Sequence, residues 1–149
     1  MMMPASQAAS TSVRAAGQEV YFYNAAVDQN IDSNAGASTG TAITWEPDPG
    51  GYQNWVLEEG GKLPGALIKN PKKNLCLQAP AAPGLSILLK PCNGLKASQR
   101  WELIVEGGET FIARQGHPGE VIQATGENKP VVLAHKTSDP LQDWQLVPA

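Results

Sequence analysis

Three stretches decide how this sequence folds: Tyr52-Gln53-Asn54-Trp55-Val56-Leu57, Ser98-Gln99-Arg100-Trp101-Glu102-Leu103 and Leu141-Gln142-Asp143-Trp144-Gln145-Leu146. Each reads x-Gln-x-Trp-x-Leu. The tryptophans lie 46 and 43 residues apart and use all but one of the 4 Trp in the chain, so the pattern cuts it into near-equal thirds. A period of this length marks a repeat architecture, and missing it would miscall the whole fold. Trp and Leu two residues apart on a strand point to the same face, so three copies deliver three large apolar side chains to one shared core. The intervening Asn54, Arg100 and Asp143, like Val56, Glu102 and Gln145 after the Trp, are expected to face mostly outward. The Gln amide has donors and an acceptor, and its expected work is to tie the nearby backbone.

Moving back from each Trp, a second matched segment appears in Thr41-Ala42-Ile43-Thr44-Trp45, Leu85-Ser86-Ile87-Leu88-Leu89 and Pro130-Val131-Val132-Leu133. Ile43 and Trp45, Ile87 and Leu89, and Val131 and Leu133 take alternate positions, as one buried face of a strand requires. Further back lie Asn30-Ile31-Asp32, Cys76-Leu77-Gln78 and Val121-Ile122-Gln123, and before them Val20 to Asn24, Ala66 to Asn70 and Thr110 to Arg114. Each third therefore holds four short strands.

Composition agrees with an all-β chain of one domain. The 15 Gly and 12 Pro recur between short apolar runs, whereas a helical protein needs uninterrupted stretches of ten or more residues. A chain of 149 residues, 42% hydrophobic and 17% charged, is long enough for a self-sufficient core and too apolar for disorder. Its net charge of −3, with no basic cluster beyond Lys72-Lys73, argues against nucleic acid as a partner, because displacing counterions needs a concentrated positive footprint. No apolar run approaches the length of about 18 residues that a membrane-spanning helix needs. Residues 1–18, rich in Ala and Ser and with no visible signal peptide, are expected to form a flexible tail. The folded domain is then expected over 19–149, with repeats of about 19–60, 61–106 and 107–149.

Three Gln-x-Trp units at this spacing resemble the ricin-B-type lectin family over about Glu19 to Pro148. The resemblance implies a β-trefoil: three four-stranded repeats about a pseudo-threefold axis, and carbohydrate binding as the function. Cys76 and Cys92 flank the central strands of the second repeat, where they resemble the intra-repeat disulfide of the family. A bond there would close a loop worth about 3 kcal/mol in the chain-entropy model and favour an oxidising, extracellular setting. The other reading is a pair of buried free thiols, and the missing signal peptide leaves a cytoplasmic location open.

The family resemblance also implies a shallow sugar pocket in each repeat: a carboxylate after the second strand, an aromatic platform on the third, and polar residues before the Gln-x-Trp. A carboxylate accepts hydrogen bonds from sugar hydroxyls, and a ring covers the apolar C–H face of a pyranose. In the first repeat Asp32 takes the carboxylate position, with Thr44, Glu46, Tyr52 and Gln53 at the remaining ones. The platform position falls on Glu46, one residue beyond Trp45. Either Trp45 is core, as its alternation with Ile43 implies, or a one-residue bulge turns it outward; Tyr52 offers a second ring. Asp32 has two readings too, as sugar acceptor or as the cap of its own turn. If it is the acceptor, Asp32→Asn should weaken glycan binding and leave stability nearly unchanged. The second and third repeats carry Gln78 and Gln123 for the carboxylate, and Lys90 and Ala134 for the platform.

An enzyme is not expected. The sequence has no Gly-x-Ser-x-Gly, no His-Glu-x-x-His and no phosphate-cradling loop, and His117 and His135 lack ligand spacing, so neither metal nor cofactor is expected. The rival function is a protein-binding trefoil that has lost sugar binding, either a partner subunit of an enzyme or toxin or a protease inhibitor.

Overall fold

The computed structural model describes residues 17–34 and 40–149, so residues 1–16 of the expected tail lie outside the described residues. Twelve strands follow one another: β1 (Glu19–Asn24), β2 (Gln29–Asp32), β3 (Ile43–Trp45), β4 (Trp55–Glu59), β5 (Ala66–Asn70), β6 (Leu75–Gln78), β7 (Leu88–Pro91), β8 (Trp101–Glu106), β9 (Glu109–Arg114), β10 (His117–Gln123), β11 (Val132–His135) and β12 (Gln145–Pro148). One-turn 3₁₀ helices, Ala97–Gln99 and Pro140–Gln142, precede the second and third Trp.

All pairing is antiparallel. The first and fourth strands of the repeats form a ring, through β1 with β4, β4 with β5, β5 with β8 and β8 with β9. The ring returns through β12, which pairs with β1 from Val20↔Pro148 to Tyr23↔Gln145. The second and third strands form the hairpins β2–β3, β6–β7 and β10–β11 that cap the ring. At the axis of the cap three backbone bonds make a cycle: Ala42 N–H donates to the Ile87 carbonyl (3.1 Å), Ile87 N–H to Val131 (2.9 Å) and Val131 N–H to Ala42 (3.1 Å). This is the β-trefoil, with its threefold relation visible in single hydrogen bonds.

Trp55, Trp101 and Trp144 fill the centre, each at most 1% exposed. Each indole N–H donates over 3.0 Å to a second-strand carbonyl of its own repeat, that of Ile31, Leu77 or Ile122. Phe22, Ile68 and Ile112 from the first strands, with Ile31, Leu77 and Ile122, pack against them.

Two sequence expectations are corrected. The buried face of the third strand in the first repeat is Ala42 and Thr44, not Ile43 and Trp45: Trp45 is 39% exposed. Register explains this, since Thr44 lies opposite Ile31 as Leu89 lies opposite Leu77 and Leu133 opposite Ile122. Burying Thr44 is tolerated because its hydroxyl donates to the Gly126 carbonyl at 2.8 Å. Arg100 does not face outward either. It is buried, and its guanidinium donates to the carbonyls of Gly65 (3.1 Å) and Gly94 (2.8 and 3.2 Å), tying two loops together.

Cys76 on β6 and Cys92, the residue after β7, form a disulfide, the pairing that the family resemblance implied.

Candidate functional site

The repeated Gln is a clamp, and it shapes the ground on which any site is built. Gln53 Nε2 donates to the Glu46 carbonyl (2.8 Å) and to Asp32 Oδ2 (3.1 Å), while its Oε1 accepts from Asp48 N–H (3.1 Å) and Asn30 Nδ2 (2.9 Å). Gln99 repeats this with the Pro91 carbonyl, Gln78 Oε1 and Asn93 N–H. Gln142 does so with the His135 carbonyl, Gln123 Oε1 and Thr137 N–H. The clamp holds the loop after each third strand against the end of each second strand, and it fixes the side chain at positions 32, 78 and 123.

Only in the first repeat does that arrangement carry aromatic rings and a carboxylate. Asp32, Asn34, Ile43, Trp45, Asp48 and Tyr52 line an open hollow of about 290 Å³. Asp32 is the buried acid of this lining. Its Oδ1 accepts the Asn34 N–H at 2.6 Å, with Asn34 in the left-handed conformation (φ 59°) that Asn tolerates better than most residues. Tyr52 is set by two neighbours. Its carbonyl accepts the Ser33 N–H at 2.9 Å, and Lys72, reaching over from the β5–β6 turn, places its ammonium 4.7 Å from the ring centre. The same Lys72 Nζ donates to the Gly50 carbonyl at 2.9 Å, which braces the loop carrying Asp48. Asp48 Oδ1 in turn accepts the Gly50 N–H at 2.7 Å.

Of the residues singled out from sequence, Asp32 and Tyr52 share this hollow. Gln53 is fully buried behind it and positions Asp32. Thr44 points into the interior toward Gly126. Glu46 is exposed, and the part of it used here is its carbonyl. Sequence reasoning offered Trp45 here only as the alternative in which a one-residue bulge turns it outward, and it did not place Asn34 and Asp48 at the hollow, nor Lys72 beside it. Strand register is what puts Trp45 here: Lys90 and Ala134 pair with Cys76 and Val121, and the residue paired with the equivalent Asn30 is Trp45, not Glu46.

In the other repeats the equivalents of Trp45 are therefore Lys90 and Ala134, and the residues before the clamp are Ser98 and Leu141 instead of Tyr52. Neither supplies a ring. Among the described residues no group of three or more His, Cys, Asp or Glu could hold a metal ion.

The geometry also changes the expectation for Asp32→Asn. The two carboxylate oxygens accept two different N–H groups, and Gln53 cannot turn its amide over because both its ends are engaged. An Asn has one oxygen for the two donors, so one buried N–H would face an NH₂. The substitution should cost about 1–3 kcal/mol of stability, readable as a shifted urea midpoint. An unchanged midpoint would mean that Asp32 does not cap this turn.

Over residues 18–144 the sequence matches the family model described as the ricin-type beta-trefoil lectin domain. No curated protein matches it in sequence. Among solved structures, the designed threefold-symmetric protein ThreeFoil superposes with a TM-score of 0.75 at 17% identity, covering 88% of this chain and 99% of that one. The agglutinin of Rhizoctonia solani gives 0.73 at 15% identity, over 89% and 95% of the two chains. The exo-β-1,3-galactanase 1,3Gal43A of Clostridium thermocellum gives 0.77 at 20% identity, over 91% of this chain but 31% of the enzyme, so the likeness spans one part of a larger molecule. At these identities the likeness is one of fold.

Proposed function

This chain belongs to the ricin-type β-trefoil lectin domain family, and on that footing we propose that it is a non-catalytic carbohydrate-binding module whose site is the hollow of the first repeat. One observation carries the reading: two aromatic side chains, Trp45 and Tyr52, share a hollow with the Asp32 carboxylate. A pyranose needs both surfaces, a ring for its C–H face and a charged acceptor for its hydroxyls. Asp32 and Asp48 line the hollow, and Lys72 beside it is engaged by the Tyr52 ring and the Gly50 carbonyl, so the site favours a neutral sugar: a sialic or uronic acid would bring its own negative charge against two carboxylates.

Trp45 gives a cleaner test than Asp32, because it is exposed and outside the core. Trp45→Ala should weaken binding of neutral glycans tenfold or more, about 1.4 kcal/mol, with stability changed by less than about 1 kcal/mol. A glycan array followed by calorimetry on each hit reads both. Full-strength binding by the variant sinks the assignment. The ringless second and third repeats favour the rival reading, a protein-binding trefoil. A stoichiometric protein partner, with every glycan silent, would put that reading first.

A further inference from the structure

The first hollow has a neighbour. Tyr21 and Tyr23 lie on the outer face of β1, and with Val147 of β12 and the loop residues Pro47, Asp48 and Pro49 they line a second, almost wholly apolar hollow of about 350 Å³. Asp48 belongs to both, so the loop at 47–49 is the wall between them. We propose that the two hollows form one extended site, in which a neutral oligosaccharide sets its terminal unit between Trp45 and Tyr52 and a following unit over Tyr21 and Tyr23. This rests on the reading of the first hollow given above and adds the size of the ligand to it.

The comparison among repeats supports it. Asn24 and Asn70 occupy equivalent positions: each side chain donates to two backbone carbonyls of another repeat, Asn24 to the third and Asn70 to the first, and accepts an N–H from its own turn. Counting back, Tyr21 and Tyr23 correspond to Leu67 and Lys69 in the second repeat and to Phe111 and Ala113 in the third. Leu67, Phe111 and Ala113 are buried, and Phe111 also carries the Lys136 ammonium 4.5 Å from its ring centre. In the first repeat alone the face shows two half-buried tyrosines, and that is the repeat with the ring-bearing hollow. Two departures from threefold symmetry thus meet at one wall. The Tyr23 ring is also held in place, since its hydroxyl donates to the Asp28 carboxylate. That bond, ahead of smaller effects of burial and of the Asp28 charge, pushes the phenol pKa up from its ordinary value. Aromatic and proline rings with phenolic hydroxyls at their rim suit a pyranose, which is apolar on its faces and polar at its edge.

The experiment titrates the full chain with neutral monosaccharides (galactose, glucose, mannose, N-acetylgalactosamine, N-acetylglucosamine) and with linear di- and trisaccharides built from them. NMR follows the Trp45 indole and the Tyr21 and Tyr23 rings. A monosaccharide should shift Trp45 alone, whereas the best longer sugar should shift the tyrosines too and bind about tenfold tighter. Tyr21→Ala should remove that tenfold gain and leave monosaccharide affinity unchanged; Val147→Ser, on β12 directly paired with Tyr21, gives the same reading should Tyr21→Ala fail to fold. Equal affinities for short and long sugars, or a Tyr21→Ala variant that keeps the gain, overturn the extended site and leave the first hollow standing. If no sugar binds, both readings fall. A protein partner lost on Tyr21→Ala, with sugar affinities unmoved, overturns the extended site in favour of a protein-docking face.

Discussion

Trp101→Ala is expected to destabilise the domain by about 3–5 kcal/mol, a large part of the roughly 5–15 kcal/mol that holds a domain together. Three effects add. The indole is 1% exposed, so its loss leaves a cavity in a core drawn from all three repeats. The Leu77 carbonyl, which accepts the indole N–H at 3.0 Å, is left buried without that partner. Neighbours on β5 and β8 cannot close the gap, because each is held in a ladder of its own. Urea denaturation of the variant against the parent measures the cost. Trp55→Ala and Trp144→Ala should match it, because their burial and hydrogen bonds match. A near-neutral result for all three would mean that the repeat does not organise the core.

Reducing the Cys76–Cys92 bond should have the next largest effect on stability. The two residues are 16 positions apart, and releasing a loop of that size restores conformational freedom to the unfolded chain worth about 3 kcal/mol in the chain-entropy model. Cys76 is fully buried and pairs with Lys90 on β7, so the native strands should stay in register after reduction and the change should appear mainly in the unfolded state. The measurement compares denaturation midpoints of oxidised protein, reduced protein and Cys92→Ser. Two alkylatable thiols in native protein prepared under oxidising conditions would show that the bond does not form, and the expected difference would vanish.

The twelve strands were legible because the Gln-x-Trp spacing supplies a period, and a period fixes equivalences that no single strand could. The buried Trp row followed from it, whereas the cysteine pairing came from the family resemblance. What misled the sequence reading was amplitude. In Thr41-Ala42-Ile43-Thr44-Trp45 the inward positions hold Ala42 and Thr44 and the outward ones hold Ile43 and Trp45, so the more apolar face is the wrong one. Hairpin register overrides hydrophobicity here, and register is set by pairing with β2, which hydropathy alone does not report. Arg100 misled in the opposite direction. Nothing in its local pattern says that Gly65 and Gly94 bring two carbonyls to meet it. The candidate site was half legible for the same reason: Asp32 and Tyr52 carry their chemistry in sequence, while Lys72 reaches Tyr52 from another repeat.

The three-bond cycle at the cap fixes how many repeats the fold admits. Ala42, Ile87 and Val131 each give an N–H to one repeat and a carbonyl to the other, and all three are fully buried. A solenoid adds or drops units at its ends with little change to the rest. Here there is no end: excising one repeat strands a donor on one neighbour and an acceptor on the other, away from water, at about 1–3 kcal/mol each, and a fourth would have to break a bond to enter. The number three is thus written into the backbone, while the side chains around it were left free to diverge. Such a frame can hold one elaborated hollow beside two plain ones without any loss of closure.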